Sequence, residues 1–219
     1  MVTFESIKKD AAICEYIKKA DESLLALGFT EHSFAHVGKV ASMSEYILTS
    51  LGYSGRVVEL AKISAYLHDI GNLVNRTEHS QSGAVMAFRI LDNLGMDPAE
   101  IATVVTAIGN HDEGTGVPVN NVAAALILAD KSDVRRSRVR NEDVSTFDKH
   151  DRVNYSVKNS HLRVDEDTKE IWLELDIEDK YSSVMDYFEI FLERMVLCRK
   201  AAQALNRTFR LKINGQNIL

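Results

Sequence analysis

The chain has 219 residues, 45% of them hydrophobic and 26% charged, with a formal net charge of −6. That length buries a real core, and the acidic balance argues against a wholesale nucleic-acid binder. No apolar run approaches the roughly 20 residues of a membrane span, the first ten residues lack the apolar centre of a signal peptide, and two cysteines far apart suggest no disulfide framework. A cytoplasmic protein is the expectation.

Helical periodicity dominates the first two thirds. An amphipathic helix is expected from about residue 3 to Leu27, ended by Gly28, and a second from about Ser33 to Leu51, with Val37, Val40, Ala41, Ile47 and Leu48 at steps of three and four. Val57 to Ile70 reads as a third, stopped by Gly71, and Ser80 to Leu94 as a fourth, closing on Gly95. Asp97-Pro98-Ala99-Glu100 is a helix start, with a capping Asp, Pro at the first helical position and Glu at the third. That helix should reach about Asn110, followed by the loop "EGTGVP" and an apolar helix from Asn121 to Ser132.

After about Arg140 the character changes. Residues 141–160 read as loop with some short structure, "HLRVDEDTKEIWLELDIE" as two strands around a polar turn, Tyr181 to Asn206 as a long helix, and "TFRLKING" as a last strand. The expected architecture is therefore mainly α: a helical domain over residues 1–140 and a small α+β appendage over 141–219. The appendage carries no motif that assigns it a role. It suits a packing or dimer element as well as a substrate-selecting lid.

Five of the seven histidines, His32, His36, His68, His79 and His111, precede residue 112 and sit at helix edges or on apolar helical faces. Asp130 follows Ile127 and Leu126 by three and four residues, so its carboxylate points where a core side chain should be, which is costly unless it is paired or bound to a cation. His68 and Asp69 are adjacent at a helix end, where neighbours about 100° apart can still turn toward one point. Mixed imidazole and carboxylate donors suit Mn, Fe, Co or Zn, with Mg where oxygen ligands dominate. His150 and His161 lie in the polar appendage and read as ordinary surface residues.

The order His36, His68-Asp69, His79, His111, Asp130, in the contexts "HVGKVA", "YLHDIGN", "HSQSGA", "NHDEGTG" and "LADKSD", resembles the HD superfamily of metal-dependent phosphohydrolases over about residues 28 to 140. The resemblance implies an HD-domain helical bundle. It further implies that Asp69 bridges two divalent metal ions, with His36, His68 and Asp130 on one and His79 and His111 on the other. His32, a turn before His36, resembles the extra ligand of some HD-GYP proteins. The implied reaction is hydrolysis of a phosphoester or phosphoanhydride of a nucleotide or related small molecule by metal-activated hydroxide. Arg76, Lys131 and Arg135 are the candidates for steadying the phosphate. A homodimer is implied by resemblance alone.

Two departures stand out. Many relatives carry Lys where this chain has Asn72, so a phosphate contact is missing or supplied by Arg76. "NHDEGTGVP" is shorter than the HD-GYP loop and lacks its adjacent histidines, which argues against cyclic di-GMP as substrate. "DVRRSRVR" at 133–140 is the one basic cluster, suited to drawing in a polyanionic substrate; nucleic acid is the weaker expectation. Two other readings share these ligands: a dinuclear-iron oxygenase, and a non-catalytic ligand-binding or signalling domain.

Overall fold

The computed structural model describes residues 1–219. It opens with α1 (Phe4–Lys9) and α2 (Ala11–Ala26), followed by α3 (Phe34–Ser50), α4 (Arg56–Leu67), α5 (His79–Asn93), α6 (Pro98–Gly109) and α7 (Asn121–Ser132). A 3-10 turn at Ile70–Leu73 links α4 to α5. Then come α8 (Lys149–Ser156), β1 (Val157–Asp165), β2 (Glu170–Ile177), α9 (Val184–Ala204), β3 (Thr208–Ile213) and β4 (Gln216–Asn217). The fold is mainly α with a small C-terminal sheet. No helix is long and apolar enough to cross a membrane.

The single helix expected at the N-terminus is two. Asp10 adopts an extended backbone and its side chain accepts from the amides of Ala12 and Ile13, so it caps α2 instead of continuing α1. The segment expected to be mostly loop contains α8, capped by Asp148 on the amide of Asp151.

Every residue of α7 from Val122 to Ser132 is buried, because α3, α4, α6 and α9 all pack around it. Asp130 and Lys131 are thereby carried into the interior at the end of an otherwise apolar helix. The sheet has the order β1-β2-β3-β4, with β1 and β2 antiparallel and β2 and β3 parallel. A parallel neighbour needs a crossover, and α9 supplies it. The crossover packs on α7 as well as on β3, so one continuous apolar core runs from α1 to β3.

The α4–α5 junction is unusually tight. A Cβ on Gly71 would lie 2.0 Å from the carbonyl oxygen of His79 and 2.4 Å from the amide of Gly83. Only glycine allows the turn after Asp69 to press directly on the start of α5.

Candidate metal centre

His36 comes from α3, His68 and Asp69 from the end of α4, His79 from the first residue of α5, His111 from just beyond α6, and Asp130 from α7. All six side chains converge, each nearly or wholly buried. His36 Nε2 lies 3.3 Å from Asp130 Oδ1 and 3.6 Å from Asp69 Oδ2, while His68 Nε2 lies 3.2 Å from Asp69 Oδ2 and 3.7 Å from Asp130 Oδ1. The other oxygen of Asp69, Oδ1, faces His79 Nε2 at 3.4 Å and His111 Nε2 at 3.9 Å. Donor atoms bonded at about 2.0–2.1 Å to one ion stand about 3.0–3.4 Å apart, close to these separations.

The tautomers follow from what the opposite ring nitrogens do. His68 Nδ1 donates to the carbonyl of Ala65 at 2.7 Å, His111 Nδ1 to Ile108 at 2.6 Å, and His79 Nδ1 to Arg76 at 3.1 Å. His36 Nδ1 donates to the Asp133 carboxylate at 2.8 Å. Every Nε2 is left to present a lone pair to the centre, the arrangement that orients metal-ligating histidines. His36 Nε2 and His68 Nε2 are buried with no hydrogen-bond partner. The Nε2 atoms of His79 and His111 face each other at 3.2 Å. Two lone pairs that close need a cation or a shared proton between them, so the residues present fit a metal.

Electrostatics point the same way. Burial opposes charge on Asp69 and Asp130, but His68 beside the first and Lys131 beside the second hold both well below the usual carboxylate range. Burial also opposes a charge on His68, yet Asp69 and Asp130 outweigh it and push that imidazole up to about 10. A positive charge is therefore favoured where His68 Nε2 meets the carboxylates. Burial holds His79 and His111 below the ordinary histidine range, as neutral ligands require.

The centre opens into a cavity of about 520 Å³. His79, His111, Asp69 and Asp130 line its inner end together with His32, while His36 and His68 lie behind them. His32 Nδ1 donates to the carbonyl of Thr30 at 2.7 Å, and its ring stands 5.4 Å from that of His36. Of the three cations expected to face substrate, Arg76 and Lys131 line the cavity and Arg135 does not. Arg135 instead bonds Asp133 and Glu31 at 3.0 and 2.9 Å. Lys131 Nζ lies 2.6 Å from Asp130 and 3.2 Å from Glu113, whose other oxygen meets Arg194 of α9 at 2.9 Å. Arg76 reaches Asn72 Oδ1 at 3.3 Å, and Asn72 in turn donates to the Asp69 carboxylate at 3.1 Å.

Sequence reasoning missed several residues. Asp133, which orients His36, was hidden inside a run read only as basic. Glu113 and Arg194 meet across 81 residues of chain. His150, read as an ordinary surface residue, lines the cavity with Asp148, Asp151 and Asn154. The helical cap Asp148-x-x-Asp151 was the one local signal that could have placed that group.

This geometry, a helical bundle delivering His, His-Asp and Asp to one point, is that of a metal-binding helical protein. The HD domain model matches residues 33–190, and the chain belongs to that family. An uncharacterized protein of Methanocaldococcus jannaschii, MJ1020, is 26% identical over 160 residues, 63% of this chain and 61% of that protein. The crystal structure of a predicted HD superfamily hydrolase from an uncultured Thermotogales bacterium aligns at 24% identity and a TM-score of 0.42, over 62% of this chain and 75% of that one.

Proposed function

We propose that the chain is a metal-dependent phosphohydrolase acting on a nucleotide or related phosphorylated small molecule, with two divalent ions sharing Asp69. The observation that carries this reading is the split of the Asp69 carboxylate: Oδ2 faces His36 and His68, and Oδ1 faces His79 and His111. Divalent ions held there supply Lewis acidity toward a phosphoryl oxygen and a water of lowered pKa.

The chain's own residues position both reactants. Asn72 fixes the Asp69 carboxylate, and the Lys131 ammonium steadies Asp130 from the cavity side. Arg76 is the cation offered to the phosphoryl oxygens, where charge in the transition state is stabilised by fixed donors. The water oxygen forms its bond to phosphorus as the bond to the leaving oxygen breaks, giving a phosphate and the protonated leaving group. A cavity of about 520 Å³ is in the range that encloses a nucleotide-sized ligand. In this reading residues 1–140 supply the metal ligands and residues 141–219 supply one wall of the substrate cavity.

The test is metal analysis by elemental mass spectrometry with hydrolysis of bis(p-nitrophenyl) phosphate and a panel of nucleotides. The expected result is two ions per chain and turnover that disappears in Asp69→Ala. Fewer than two ions after incubation with Mn or Fe would sink the shared-carboxylate reading. An iron pair that consumes dioxygen in anaerobically purified protein would replace hydrolysis with oxygenase chemistry.

A further inference from the structure

The charges around the cavity are unevenly distributed. Lys131, Arg138 and Arg194 each have a carboxylate within 4 Å: Asp130 and Glu113, Asp133, and Glu113 respectively. Arg76 lines the same cavity and makes no carboxylate ion pair; its contacts are the Asn72 amide oxygen, His79 Nε2 at 3.5 Å and the ring of Phe29 at 5.7 Å. It is the uncommitted cation, and it stands beside the metal ligands.

The solvent end is the reverse. Asp148 and Glu193 are exposed there and Asp151 is half-buried, all three line the cavity, and none makes an ion pair. Asp148 and Asp151 come from the start of α8, and Glu193 comes from α9.

Resting on the phosphohydrolase reading, we infer that the cavity selects a phosphomonoester over the corresponding di- or triphosphate, Arg76 taking the single phosphate beside the metals while Asp148, Asp151 and Glu193 repel any further phosphate toward the mouth. The repulsion follows from like charges held in a concave site, where it is screened less than on an open surface. The same carboxylates accept hydrogen bonds, so the organic part that reaches them carries hydroxyl or amino donors. Phe29, which lines the cavity next to Arg76, offers that part an apolar face.

The experiment is calorimetric binding of orthophosphate and pyrophosphate to the full chain loaded with Mn, with metal content measured before and after. Orthophosphate is expected to bind more tightly than pyrophosphate by about fivefold or more at low salt, the margin shrinking as KCl is added. Asp148→Asn/Asp151→Asn/Glu193→Gln should bring the two to parity while changing orthophosphate affinity by less than about threefold; the Asn at 148 retains the helix cap. Glu193→Gln alone, at an exposed position, should give part of that shift. Arg76→Ala should weaken orthophosphate about tenfold. Tighter binding of pyrophosphate by the wild type, a ratio unmoved in both acidic-wall variants, or no binding of either anion overturns the inference. The expected binding order without turnover of any phosphoester would remove the hydrolase reading and leave this selection standing. Preferred turnover of triphosphates would do the opposite.

Discussion

The inner and outer ends of the cavity are built on different principles. At the inner end each metal-facing imidazole has its Nδ1 bonded to a backbone carbonyl or to Asp133, and the carboxylates are held by Asn72 and Lys131. At the outer end Asp148, His150 and Glu193 are exposed, and no side-chain ion pair fixes them. On the proposed reading the contrast is a division of labour: the chemistry falls to side chains held by several partners, and the choice of substrate to exposed side chains that a single substitution can change.

The sharpest way to break the comparison is at its inner end. Asp69→Asn should remove metal binding at both positions and lower activity by about three orders of magnitude or more, because the neutral amide offers one weak oxygen where two anionic ones stood. Elemental analysis and initial rates check it. One retained ion with high activity would show that Asp69 is not shared.

Asp133→Asn should act one bond further out. It keeps an acceptor for His36 Nδ1 but removes the charge that Lys39, Arg135 and Arg138 surround at 2.7, 3.0 and 3.8 Å. Metal affinity should fall about 10–100-fold, as for other partners of ligating histidines, read by competition with a chelating dye.

Between the two ends lies Glu113. Glu113→Gln leaves Lys131 and Arg194 facing one another without their shared anion, and should lower the melting temperature by several degrees, about 2–3 kcal/mol. Thermal denaturation with and without Mn measures it. Phe29→Ala should be the mildest change, raising KM a few-fold through loss of a ring worth about 1 kcal/mol while leaving metal content intact. A large fall in kcat would place Phe29 at the inner end of the comparison.

The same division explains what could be read from the sequence. The six converging residues were legible because histidine or aspartate on an apolar helical face, or at a helix end, violates the local pattern, and because six such violations fall in a recognisable order. Helices α3 and α7 were legible from their apolar patterns, α4 and α5 from the glycines that end them, and α6 from its capping Asp97 and Pro98. The break at Asp10 was not, because the apolar period of α1 runs on into α2 and only the capping role of Asp10 separates them. Glu113, Asp133 and Arg194 were invisible for another reason: a charged side chain in a polar stretch reads as solvated until tertiary structure brings its partner. Arg135 shows the converse, since proximity in sequence to Asp130 suggested a substrate contact and the fold turned it toward Glu31.

Gly71 carries a consequence for how this molecule can adapt. Because backbone lies against backbone where the turn after Asp69 meets the beginning of α5, with only the short Ser82 side chain beside the contact, the spacing between the His68-Asp69 pair and His79 works as a fixed gauge. The ligand set cannot widen to admit a bulkier reacting group. On the proposed reading, accommodation of a larger or smaller substrate comes from α8, α9 and residues 27–30, which line the cavity, so variation in what this scaffold accepts can accumulate there without disturbing the distance between His68-Asp69 and His79.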